Sequence, residues 1–88
     1  MGSYSVRFKP SVQRDLRNLP KGIVSRVVSR IESLRENPFP PGFAKLASTE
    51  KMYRLRIGAY RIVYEVDSKA GTVIVHYVRH RREVYRRI

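Results

Sequence analysis

The chain opens with strict alternation: Tyr4, Val6 and Phe8 are separated by Ser5, Arg7 and Lys9, a period-2 pattern that predicts a half-buried first strand over Ser3–Lys9. Pro10-Ser11 then supplies a break and an N-cap, after which Val12, Leu16 and Leu19 recur at helical spacing until Pro20 stops them. From Lys21 to about Glu36, Ile23, Val24, Val27, Val28, Ile31 and Leu34 form one apolar stripe, with Arg26, Arg30 and Arg35 elsewhere on the helix. The two segments predict a helical hairpin. Asn37-Pro38-Phe39-Pro40-Pro41-Gly42 can neither continue a helix nor enter a central strand, so a loop runs to about Lys51, with Lys45-Leu46 docked onto the core.

The period then switches back to 2 and predicts three successive antiparallel strands, Met52–Ile57, Tyr60–Asp67 and Thr72–Arg79. Gly58-Ala59 makes the first turn, and residues 67–71 the second, where Gly71 can take a positive φ. A short basic element, Arg81–Ile88, closes the chain. The order strand, two helices, three strands predicts an α+β fold in one domain spanning residues 1–88, with the helical hairpin packed on one sheet face and the other face basic and free.

Composition narrows the function. The 88 residues carry 19 Lys plus Arg against 7 Asp plus Glu, a formal net charge of +12, and 14 of the 19 cations are arginine. Arginine's planar fork binds phosphate in a bidentate way, so the excess points to a polyanionic partner: nucleic acid, an acidic protein, or each in turn. With no cysteine, disulfides and thiolate metal sites are excluded, as expected for a protein of the reducing cytoplasm. Apolar runs reach only triplets such as Val73-Ile74-Val75, far short of the ~20 residues of a membrane span.

The first hairpin locates the charge. A two-residue turn at Gly58-Ala59 sets Ile57 opposite Tyr60, Arg56 opposite Arg61, Leu55 opposite Ile62 and Arg54 opposite Val63. Arg54, Arg56 and Arg61 therefore share one face, while Tyr53, Leu55, Ile57, Ile62, Tyr64 and Val66 point to the helix-covered core. Like charges directly opposite cost up to about 1 kcal/mol, a penalty that a bound anion would remove; the alternative is that the guanidiniums splay into water or pair with Glu65. The closing strand runs into His80-Arg81-Arg82-Glu83-Val84-Tyr85, a basic stretch with an interleaved aromatic that suits phosphate contact and base stacking as well as it suits a solvated tail. His76 and His80 would lie about 13 Å apart along a strand, too far for one ion to bridge, and no metal site is expected. Glycine-rich phosphate loops, dinucleotide fingerprints and metalloprotease motifs are absent, and no cofactor is implied.

With these elements in place, Lys45-Leu46, Tyr53-Arg54-Leu55-Arg56-Ile57-Gly58-Ala59-Tyr60-Arg61-Ile62-Val63-Tyr64 and Val78-Arg79-His80-Arg81-Arg82-Glu83-Val84-Tyr85 resemble the RelE/ParE toxin superfamily over nearly the whole chain. The Tyr-Arg-x-x-Tyr of the middle strand and the closing His-Arg-Arg-Glu-Val-Tyr are similar to the RelE branch. The resemblance implies the toxin half of a type II toxin–antitoxin module: a metal-independent endoribonuclease that cuts mRNA in the ribosomal A site and is silenced by an acidic, RelB-like antitoxin. Carried over by position, Arg61 matches the family's phosphate-stabilising arginine, Arg81 its proposed general acid and Tyr85 its tyrosine near the end. Arg54 and Arg56 stand where the best-known members use lysines, and an arginine cannot give up its proton to act as base.

The reading that follows has Arg54, Arg56 and Arg61 cradling the scissile phosphate, with Arg81 facing the leaving oxygen. Tyr85 or His80 stacks on or deprotonates the nucleotide, and Lys45, Arg79, His80 and Arg82 add RNA contacts. Two rivals remain. A noncatalytic RNA- or ribosome-binding module would block translation by occupancy, consistent with arginine in place of lysine. A ParE-like gyrase inhibitor would need no arginine cluster on the hairpin.

Overall fold

The computed structural model describes residues 3–46 and 51–80. Its elements are β1 (Ser5–Phe8), α1 (Ser11–Arg17), α2 (Lys21–Ser33), β2 (Phe43–Lys45), β3 (Met52–Ile57), β4 (Tyr60–Asp67) and β5 (Thr72–His80), an α+β arrangement. One sheet in the order β1-β5-β4-β3-β2 holds all five strands; β1 runs parallel to β5 and the other pairs are antiparallel. Because the chain leaves β1 at one edge and re-enters the sheet at β2 on the other, the intervening helical pair must cross the sheet, and that crossing covers one face.

The β3–β4 register is the one that the two-residue turn requires, with Arg56 opposite Arg61 and Leu55 opposite Ile62. Gly58 supplies the turn's positive φ of 59°, a conformation that a side chain would strain. In the second turn Gly71 has φ 66°, and Asp67 Oδ1 accepts a hydrogen bond from Ala70 N at 3.1 Å, closing the connection.

Three expectations are corrected. Ser11 is the first residue of α1 and makes no side-chain cap; the cap position is Pro10, whose φ of −55° and missing N–H suit a helix boundary. The second helix ends at Ser33 instead of Glu36, and Leu34, Arg35 and Glu36 bond three residues back in a tightened last turn. The segment read as loop contains β2, whose Phe43, Ala44 and Lys45 pair with Leu55, Arg54 and Tyr53. Three residues are too few to show a period, so only the partner strand defines this one.

Val12 of α1 and Val27, Ile31 and Leu34 of α2 pack onto Leu55, Ile57, Ile62, Tyr64, Val66, Val73, Val75 and Val78 of the sheet. Val28, placed on the same stripe, lies at its margin and is exposed. No helix among the described residues is long and apolar enough to cross a membrane.

Tyr64 ties the proline-rich loop to this core. It is fully buried, its ring lies 5.9 Å from that of Tyr53, and its hydroxyl donates to Pro38 O at 2.8 Å. Burial, reinforced by neighbouring Tyr53 and opposed by Arg30, pushes its hydroxyl up to about 12. A phenol whose folded pKa is raised contributes stability in full below its unfolded value near 10, and that contribution is lost as pH rises through about 12. Tyr64→Phe should therefore cost ~1–2 kcal/mol at pH 7 through the orphaned Pro38 carbonyl. Between pH ~10 and ~12 the gap between wild type and variant should narrow, measured by urea unfolding; a gap that stays constant would mean that the phenol does not titrate with folding.

Candidate anion-binding site

The arginine ribbon forms on the face away from the helices. Arg54 and Arg56 of β3 and Arg61 of β4 alternate with the core residues, and register adds Arg79 of β5 opposite Arg61 and Tyr77 opposite Val63. The structure thus brings Arg54, Arg56, Arg61 and Arg79 together on one side of the sheet.

Their exposure differs from the expected open cluster. Arg56 is exposed and Arg54 half-buried, but Arg61 is only 4% accessible and its Nε is sealed from solvent. β4 is the middle strand of five, so Arg61 has Arg56 of β3 beside it on one side and Arg79 of β5 on the other. Val63, two residues along, is buried on the same face. The second face is therefore not bare along β4. The anion-binding character of this face rests on its four guanidiniums standing on neighbouring strands, each able to offer a fork of N–H donors to phosphate oxygens.

Arg79 is already engaged. Its Nε lies 3.6 Å from Asp15 Oδ1, and its guanidinium carbon sits 4.8 Å from the centre of the Tyr77 ring. Asp15 also accepts a hydrogen bond from Val78 N at 3.1 Å. The cause lies in strand length: β1 ends with Phe8 beside Val75, so among the described residues the outer edge of β5 beyond that point has no strand neighbour, and α1 lies along it instead. One carboxylate thus serves a bare strand N–H and steadies a site arginine.

Other expected residues fall elsewhere. Lys45 is opposite Tyr53, which puts it on the helix side of the sheet, away from the arginine ribbon. His80 is opposite Tyr60 on that same side, the two rings meeting edge-on at 5.3 Å. Arg81, Arg82 and Tyr85 lie outside the described residues. An irregularity between Val63 and Tyr64 makes His76 the extra residue of a bulge, and its Nε2 lies 3.0 Å from Glu65 Oε1, so the carboxylate considered for the arginines has a histidine partner. Among the described residues, no three His, Cys, Asp or Glu side chains converge as a metal site would require.

Neither Asp15 nor Tyr77 stands out in the sequence as a site residue. Asp15 sits between Arg14 and Leu16 in an amphipathic segment with Arg17 close by, where a lone acid reads as local charge balance. Tyr77 depended on a register that the bulge shifts.

A family model described as the ParE toxin of type II toxin–antitoxin systems, parDE, matches residues 6–85. Toxin RelG of Mycobacterium tuberculosis is 34% identical over 85 residues, spanning 96% of this chain and 98% of that protein. A chain of the toxin–antitoxin complex RelBE2 from M. tuberculosis superposes with a TM-score of 0.77 at 32% identity, covering 89% of this chain and 98% of its own. A chain of the archaeal RelE–RelB complex from Pyrococcus horikoshii gives 0.80 at 28% identity, covering 90% and 96%. The shared fold and the sequence likeness along nearly its full length show that this chain belongs to the RelE/ParE superfamily of type II toxins.

Proposed function

We propose that this protein is a ribosome-dependent mRNA endoribonuclease, the toxin of a module whose antitoxin is an acidic, RelB-like chain. The observation that carries the reading is the convergence of Arg54, Arg56 and Arg61 on one sheet face, with Arg61 held in the protected centre. In the reaction, the ribose 2′-oxygen attacks the adjacent phosphorus while the bond to the 5′-oxygen breaks. The products are a cyclic phosphate and a 5′-hydroxyl, and one proton is taken from the 2′-hydroxyl as another is given to the leaving oxygen. Arginines suit the middle of this sequence, where negative charge gathers on the phosphoryl oxygens. Arg81 is assigned a place facing the leaving oxygen, where its guanidinium steadies the developing charge by hydrogen bonding while water supplies the proton, and Tyr85 the contact with the attacked nucleotide, whose 2′-hydroxyl proton passes to water. Positioning by the ribosome supplies in-line geometry, worth up to ~7–11 kcal/mol in ideal cases.

The net charge of +12 supports the partner assignment, since a basic face is neutralised best by an acidic segment, and relatives of this chain are known as toxin–antitoxin pairs. Primer extension on an mRNA in a translation mixture tests the activity. Discrete cuts within codons that vanish without ribosomes are expected. Translation arrest on an intact message would replace the nuclease by an occupancy inhibitor, a reading favoured by arginine at both positions 54 and 56.

A further inference from the structure

The polar side of α2 carries a pattern that the proposed reaction does not use. Ser25 and Ser29 are four residues apart, as are Arg26 and Arg30, so each pair stacks one turn above the other. Like charges at that spacing work against the helix. Arg35 has a carboxylate partner, Glu32 at 2.9 Å, whereas Arg26 and Arg30 make no ion pair among the described residues.

Those four side chains face Arg56 and Gly58, at the tip of the β3–β4 ribbon, across a cleft of about 530 Å³. This lies within the range of ligand sites, ~300–1,000 Å³. Topology leaves the cleft open: β2 reaches only as far as Leu55, so among the described residues the outer edge of β3 at Arg56 has no strand beside it. Among the described residues, three arginines and two serines line the cleft, and no carboxylate does.

We propose that this cleft binds a backbone phosphate of RNA, as a second anchor for the strand that crosses the arginine ribbon. The inference rests on the reading that RNA is the substrate and adds a site to it. Arg56 belongs both to the cleft and to the ribbon, where it stands opposite Arg61. A phosphodiester chain carries one charge per nucleotide, so one strand can be held at the ribbon and again in the cleft. Three guanidinium forks with two hydroxyl donors also suit the several oxygens of a phosphate better than a carboxylate, which one fork satisfies.

The test uses the full chain and a 2′-O-methyl RNA decamer, which binds without being cut. Arg26→Gln/Arg30→Gln should bind it about tenfold more weakly at ~0.1 M salt, with the log–log salt slope reduced by ~0.7 for each phosphate lost. Arg26→Lys/Arg30→Lys, which keeps the charge but not the forks, should retain the slope and lose part of the affinity. Thermal unfolding of both variants checks that these exposed substitutions leave the fold in place. Unchanged affinity and slope in the glutamine variant would overturn the cleft site, as would a loss confined to an oligoglutamate peptide with RNA binding intact. Neither result would touch the nuclease reading, which stands or falls on cuts that require ribosomes and Arg61.

Discussion

Arg61→Ala is expected to lower ribosome-dependent cleavage by at least ~100–1,000-fold, the effect typical of removing one fixed donor from a developing oxyanion. The residue lies in the middle strand with only 4% of its surface accessible, so its guanidinium is held in a low-dielectric setting where a charge acts strongly and needs little reorganisation when the phosphate arrives. The same burial means that alanine leaves a void, and a loss of stability on the order of 1–3 kcal/mol accompanies the loss of activity. Two controls separate these effects. Unfolding of the purified variant reports whether it is folded at the assay temperature. Arg61→Lys keeps the cation without the fork and should retain the fold while cleaving at an intermediate rate. A folded Arg61→Ala protein that cuts at the wild-type rate would remove Arg61 from the reaction.

The β3–β4 ribbon was legible because two signals agree on it: strict alternation over Met52–Ile57 and Tyr60–Asp67, and a glycine where the turn needs positive φ. From those alone the pairing of Arg56 with Arg61 follows, and with it the shared face. What the pattern could not report was depth. Alternation assigns a side chain to a face but says nothing of how deeply that face is covered, which is a tertiary fact. Hence Arg61, expected in an open cluster, is buried, while Arg56 on an outer position is exposed. The face of Lys45 is illegible for a related reason: it is set by pairing with Tyr53 in a strand too short to announce itself. His76 and Tyr77 show the third limit, since a one-residue bulge breaks the period that alternation relies on.

Asp15→Ala should destabilise the fold by ~2–3 kcal/mol, because it strips the acceptor from Val78 N at the uncovered edge of β5 and leaves that donor facing α1. In a chain of this size that corresponds to a fall in Tm of several degrees per kcal/mol. The 3.6 Å contact with Arg79 is too long for a strong hydrogen bond and contributes mainly charge, so the two roles of the carboxylate can be separated. Asp15→Asn keeps an oxygen for Val78 N and removes the charge beside Arg79. It should retain most of the stability while freeing the guanidinium from the carboxylate and keeping its contact with Tyr77. If Arg79 adds a phosphate contact on the ribbon, the asparagine variant should bind RNA more tightly than wild type. If Asp15 instead holds Arg79 in the pose that RNA requires, the same variant should bind more weakly with its unfolding midpoint barely moved. A wild-type midpoint for Asp15→Ala would show that α1 docks on β5 through its apolar contacts alone, with Val12 as the anchor and the carboxylate incidental.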